Sequence, residues 1–202
     1  MNFSKLFRID NYFRKKWYTF FNPIKFKLSG IRLGKFSSIK NMVYLHISNS
    51  SSVNIGHHFI VNSGNNLNVL CSNTNFSINV SNNAELIIGN YCGISGGAIW
   101  VTNSVRIGNH VKIGANCLIL DNDMHPIDWQ SRRDTCTKKN ASTSIPIVIN
   151  DDVWIGANSI ILKGVTIGKC SIIGCGSIVT HDIPENCIAA GNPCKVIKFL
   201  NS

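Results

Sequence analysis

The sequence predicts an all-β parallel solenoid, in which short strands stack coil upon coil, on three observations. From Pro146 to Thr180, IPIVINDDVWIGANSIILKGVTIGKCSIIGCGSIVT, an aliphatic residue recurs at every sixth position: Ile149, Ile155, Ile161, Ile167, Ile173 and Val179. Glycine directly follows three of them, at Gly156, Gly168 and Gly174, a residue that tolerates backbone conformations closed to others. The fourth position after the aliphatic is small or β-branched, as Ser159, Val165, Ser171 and Ser177 show, and reads as a second, smaller inward layer. A helix repeats every 3.6 residues and a sandwich strand every two, with turn clusters between strands, whereas a hexapeptide period belongs to parallel β-helices.

Taken in order, residues 1–30 form a basic, aromatic helical cap. Phe3, Leu6, Phe7, Phe13, Trp17, Phe20 and Phe21 follow a helical stripe, with Arg8, Arg14, Lys15 and Lys16 beside or opposite it, and Pro23 should end the helix. Two readings fit. The aromatics bury against the first coil and close the open end of the solenoid, which is the preferred reading, or they rest on an anionic membrane with the cations at the headgroups. Residues 31–184 form the β-helix. Its first part, to Ile88, is degenerate: short aliphatic runs alternate with Asn- and Ser-rich turns such as SSVNIG and VSNNAELIIG, and asparagine suits left-handed corners. His46, His57 and His58 read there as exposed turn residues or as residues satisfied by a neighbour. The gap from Ile94 to Ile107 is thirteen, one more than two repeats, so an insertion is expected within Ser95 to Ser104, a patch that holds Trp100.

After Leu120 the repeat stops, and residues 121–146 run polar and aperiodic as an extruded loop, a length that usually marks function or disorder. The loop holds His125, biased toward extended backbone by Pro126, with Asp121, Asp123 and Asp128 nearby. His125 reads either as a catalytic imidazole or as a solvated surface residue, and His110 as a bland outward one. Residues 185–202 form a C-terminal tail. After turns at Asp182 to Asn186 and Gly191 to Pro193 it carries Lys195 and Lys198, which at a spacing of three could share one face and reach a phosphate.

Composition excludes several classes. The chain has 202 residues, is 44% hydrophobic and 15% charged, and so reads as globular, here as one elongated domain. The net charge of +10 is almost wholly N-terminal: residues 1–40 hold ten Lys or Arg and one acid, Asp10, while the rest is nearly balanced. A near-neutral body without a nucleic-acid motif argues against a nucleic-acid partner. No apolar run is long enough to span a bilayer and no secretory leader is evident, so a cytoplasmic protein is expected, with peripheral membrane contact through the helix as the open alternative. The eight cysteines include no CxxC pair; Cys92 and Cys117 fall at the small inward position and read as reduced core residues, and neither a zinc site nor a cysteine nucleophile is supported.

The segments VWIGANSIILKGVTIG, IIGCGSIVTHDIP and AAGNPCKVIK, in that order, resemble the hexapeptide-repeat acyltransferases, above all the galactoside, maltose and xenobiotic O-acetyltransferases and the polysaccharide-modifying enzymes, from Ile88 to Leu200. The resemblance implies a left-handed β-helix of triangular section, a homotrimer, and acetyl-CoA in the groove between neighbouring subunits. It makes His125 the catalytic residue and sets Trp154 beside the cofactor, Ala157 and Cys175 along the pantetheine arm, Thr180 at the next cofactor contact, and Lys195 and Lys198 near the nucleotide phosphates. The sequence departs from the family at His181, where a lysine or arginine is common, and around Ser95 to Ala98, where the asparagine some relatives use for the acceptor has no counterpart. The function implied is transfer of acetyl from acetyl-CoA to a saccharide hydroxyl in surface polysaccharide synthesis. The alternatives are a small acceptor such as serine or a xenobiotic, a zinc enzyme on the same helix, which would need three converging histidines, and a scaffold without catalysis.

Overall fold

The structure, a computed structural model, describes residues 3–64, 67–71, 74–133 and 143–200, with the side chains of helix α1 (Phe3–Leu28) described at Phe13 and from Lys16 onward. The expectations placed on the side chains of Phe3, Leu6, Phe7, Arg8, Arg14 and Lys15 lie outside the described residues. Beyond α1 the chain winds through three sheets in turn. Sheet A runs in the order Arg32–Leu33, Ser52–Ile55, Glu85–Ile88, Ser104–Ile107, Ile147–Ile149 and Thr166–Ile167. Sheet B runs Ser38–Lys40, Ile60–Asn62, Gly93–Ser95, Lys112–Ala115, Trp154–Ile155, Ile172–Ile173, Cys187–Ala190 and Lys195–Phe199. Sheet C runs Val43–Ile47, Phe76–Val80, Ala98–Val101, Leu118–Leu120, Ile160–Leu162 and Ile178–Val179. Neighbouring strands pair in parallel except the last of sheet B, and one turn of chain visits all three sheets, so the section is a triangle.

The hexad register is the core. Ile149, Ile155, Ile161, Ile167, Ile173 and Val179 are all buried, Ile149 stacking on Ile167 in sheet A, Ile155 on Ile173 in sheet B and Ile161 on Val179 in sheet C, and Ser159, Val165, Ser171 and Ser177 are buried in the smaller layer. Burying each aliphatic side chain contributes about 1.5–3 kcal/mol. The buried hydroxyls stay satisfied by bonding to the coil: Ser159 Oγ donates to the Gly156 carbonyl at 2.8 Å and Ser177 Oγ to that of Gly174 at 2.6 Å. Cys92 and Cys117 occupy this layer as expected, their thiols donating to the Gly108 and Gly156 carbonyls. Burial pushes the Cys117 thiol up to about 11 and raises that of Cys92.

The glycines after the aliphatics have a different cause from the one expected. Gly156, Gly168 and Gly174 are not among the positive-φ residues; a Cβ on Gly168 would lie 2.3 Å from the Glu185 nitrogen and one on Gly156 2.6 Å from that of Cys175. Close approach of consecutive coils excludes a side chain there. The left-handed corners are made instead by asparagines 41, 83, 116, 158 and 186, among others, which gives the Asn bias a structural reason. On the edge between sheets A and B the left-handed residues of four successive coils are Phe36, His58, Tyr91 and His110, whose rings stack at centroid distances of 5.1, 4.7 and 4.9 Å. His57 accepts the Lys35 amide through Nδ1, and His46 is exposed on its strand.

Three features differ from the sequence reading. Helix α1 does not end at Pro23 but runs on to Leu28, held because Asn22 donates to the carbonyls of Ile39 and Asn41 while Phe26 is buried against the first coil. The aromatics expected to bury on that coil, Phe13, Trp17, Phe20 and Phe21, are exposed. Finally, Cys187–Ala190 adds a parallel strand to sheet B, so the last strand of the solenoid lies within the segment the sequence reads as tail.

Candidate active site

The chain leaves the solenoid at the end of Leu118–Leu120 in sheet C, and two carboxylates brace the exit. Asp121 is fully buried: it accepts the amides of Thr102 and Asn103 at 2.8 and 2.7 Å, the Thr102 hydroxyl at 3.0 Å and the Asn122 amide group at 3.2 Å. Thr102 and Asn103 are the expected insertion in the coil, and Asp121 satisfies the amides that this wider corner leaves without a ladder partner. Asp123 pairs with Lys163 at 2.6 Å, tying the outgoing chain to the coil above. An antiparallel bridge between Asn122 and Ser144, with the Asp123 amide donating to the Thr143 carbonyl, closes the neck of the loop.

His125 stands immediately beyond this neck. Its amide donates to the Asp123 carbonyl at 2.6 Å around Met124, a non-glycine residue at φ 62°, and the Met124 amide donates to the Asn122 side chain at 2.9 Å. The resulting three-residue turn reverses the chain just before the histidine, local strain of the kind that collects at functional positions. Among the described residues the His125 ring has no hydrogen-bond partner and is exposed. Two of the carboxylates near His125 in sequence are engaged elsewhere: Asp121 and Asp123 hold the loop, not the imidazole. Asp128 starts the short helix α2 (Trp129–Arg133) by accepting the Ser131 amide at 2.7 Å, and hydrogen bonds to that residue hold its carboxyl below the usual range. Arg132 donates to the carbonyls of Pro126 and Ile127, stiffening the backbone after His125, and Arg133 lies 4.5 Å over the Trp129 ring.

The remaining site residues fall on two other parts of the prism. Trp154 is exposed on the outer face of sheet B, and the register carries its row across Ile172 and Ile188 to Lys198. Lys195 pairs with Ala190 and Lys198 with Ile188, and a bulge at Ile197 intervenes. In a regular strand residues three apart point to opposite faces; the extra bulged residue returns both lysines to the outward one. The shared face expected of them is thus real, on a bulged strand rather than a helix. Trp154 and Lys198 lie three strand spacings apart, about 14 Å. Ala157 and Cys175 stack on the edge between sheets B and C, where the Gly176 amide donates to the Ala157 carbonyl at 2.8 Å. Thr180 follows the last strand of sheet C, its hydroxyl 2.8 Å from Nδ1 of His181.

One chain therefore presents Trp154, Lys195 and Lys198 on sheet B and Ala157 and Cys175 on its edge, while His125 emerges from the far side of sheet C. Depressions of about 740, 560 and 470 Å³ on the chain hold none of these residues. His110, on the edge between sheets A and B, does not converge with His125, and no group of three His, Cys, Asp or Glu among the described residues is arranged to hold a metal.

Residues 146–181 match the family described as "Bacterial transferase hexapeptide (six repeats)". The fold is a left-handed β-helix, and its last coils carry the hexapeptide repeats which that family model describes. The chain is similar to the galactoside O-acetyltransferases of Lactococcus lactis, 44% identical over 97 residues, and of Escherichia coli, 46% identical over 98 residues. These matches cover 48% of this chain and 44% and 45% of the two enzymes, so the chain spans a little under half the length of the curated relatives it matches. A solved galactoside acetyltransferase in complex with coenzyme A superposes with a TM-score of 0.51 at 29% identity, over 85% of this chain and 65% of that one.

Proposed function

We propose that the chain is an acetyl-CoA-dependent O-acetyltransferase whose acceptor is a saccharide hydroxyl, working as a homotrimer in the synthesis of a surface polysaccharide. The observation that carries the reading is His125: an exposed imidazole held at the mouth of a braced loop, on a solenoid whose neighbouring face carries a row fit for an elongated anionic donor. Lys195 and Lys198 would meet the donor's phosphates and Trp154 its flank, while the small side chains of Ala157 and Cys175 leave room for a thin arm along the edge. The curated relatives act on galactosides, and the exposed Ile127 and Trp129 on the His125 loop offer apolar surface of the kind that packs on a sugar ring. The separation of His125 from the donor wall supports the trimer, since a three-fold operator can set the loop of one chain against the sheet B–C edge of the next. A cytoplasmic setting agrees with seven free thiols among the described residues and with the donor itself.

In this reaction a neutral imidazole takes the acceptor's hydroxyl proton as the oxygen attacks the thioester carbonyl. The carbon–oxygen bond forms, the carbon–sulfur bond breaks, and the proton passes from His125 to the departing sulfur, leaving the acetyl ester and free coenzyme A. No covalent enzyme intermediate is required. The test is thiol release from acetyl-CoA across a panel of mono- and oligosaccharides. A saccharide should raise the rate above hydrolysis, and His125→Ala should lower turnover about 10² to 10⁴-fold with acetyl-CoA affinity unchanged. A folded His125→Ala protein that turns over its acceptor at the wild-type rate would remove the assignment.

A further inference from the structure

The exposed face of α1 is unexplained by catalysis or by capping. Phe13, Trp17, Phe20, Phe21, Ile24 and Leu28 are all exposed, Leu28 at 83% and Phe20 at 68%, and at 3.6 residues per turn they fall within an arc of about 100°. Asn22 and Phe26, which dock the helix on the first coil, lie on the opposite side. The stripe is already packed into a surface: Trp17 and Phe21 have ring centroids 4.1 Å apart and Phe20 meets Phe21 edge-on at 5.2 Å. A helix that only closed the solenoid would turn its aromatics inward, and this one turns them away.

Charge identifies the occupant. Lys16 and Lys27 flank the stripe on one side, the exposed Arg32 and Lys35 follow on the first coil, and residues 1–40 hold ten cations against one carboxylate. A second copy of the same surface would bring like charges together, whereas anionic headgroups complement them and the acyl boundary accepts the aromatics. No described helix is long and apolar enough to cross a bilayer, so α1 would lie in the interface. From this geometry we infer that α1 is a docking surface for an anionic lipid bilayer, holding the enzyme peripherally with the stripe in the headgroup layer.

Co-sedimentation of the full-length protein with phosphatidylcholine vesicles, with and without phosphatidylglycerol, tests this. Pelleting should require phosphatidylglycerol and weaken strongly between about 0.1 M and 1 M salt, as the screening length falls from about 10 to 3 Å. Trp17→Ser/Phe20→Ser should weaken it at least tenfold, and Lys16→Glu/Lys27→Glu should do so at low salt. Both variants should keep the wild-type melting temperature, mass by light scattering and acetyl-CoA turnover in solution. Absence of pelleting, or pelleting that the Trp17→Ser/Phe20→Ser variant retains, overturns the inference. So does a fall in mass of that variant with lipid binding intact, which would show that the stripe seats another copy of the chain.

Discussion

Replacing Asp121 separates two accounts of the loop. If the carboxylate oriented the catalytic imidazole, Asp121→Ala would leave the fold intact and lower turnover. The geometry gives it another task, since its oxygens accept the Thr102 and Asn103 amides at 2.8 and 2.7 Å and the Thr102 hydroxyl at 3.0 Å in a site closed to solvent. Hydrogen bonds to a charged group are worth about 1.5–3 kcal/mol each, and water can reach the half-exposed Thr102 and the exposed Asn103 in the variant, so a total loss of about 3–5 kcal/mol is expected. For a chain of this size that corresponds to a fall of about 6–20 °C in melting temperature. Thermal unfolding followed by circular dichroism measures it, with turnover assayed well below the transition. A melting point within about 2 °C of wild type together with a hundredfold loss of turnover would show that Asp121 acts on His125 and that the reasoning is mistaken.

Two further outcomes are expected. Lys195→Ala/Lys198→Ala should raise the apparent KM for acetyl-CoA with little change in saturated rate, the pattern of lost uniform binding; a collapse of kcat at unchanged KM would contradict it. Cys117 keeps its proton in the fold to about pH 11, while an unfolded thiol ionises near pH 9, so the native state binds more protons between these values and stability must fall as pH rises through that window. Cys117→Ser, which places there the residue found at Ser159 and Ser177, should flatten that fall in denaturant titrations at pH 8 and pH 10.

What the sequence shows most plainly is the part of the fold governed by local period. The inward register from Ile149 to Val179, the small layer, the core place of Cys92 and Cys117, the departure of the loop after Leu120 and the wider corner before Ser104 all follow from spacing alone. What it hides depends on contacts between coils. Glycines read as conformational are steric, because a side chain there would run into the neighbouring coil, as at Gly168 against Glu185. The ring stack from Phe36 to His110 joins residues at unequal intervals of 22, 33 and 19, which no periodic scan aligns. The outward pairing of Lys195 with Lys198 needs a bulge that only the partner strand reveals. In the loop, the sequence singles out His125 as a candidate by its position and its proline, but the Lys163 strut and the engagement of Asp121 with Thr102 are long-range choices that the carboxylates' position in sequence leaves open.

The proposed site sets one chain's His125 against the sheet B face and the Ala157 edge of another chain, and mixed assemblies decide whether it does. His125→Ala chains can be co-refolded in equal amounts with chains carrying Ala157→Arg, a bulky charge placed on the sheet B–C edge. Each variant alone should form inactive trimers. Over all randomly mixed trimers, a site that takes its loop from one chain and its edge from the next should be intact in about a quarter of cases, so activity should return to about that fraction of wild type. No recovery in trimers shown to contain both variants would contradict the shared site.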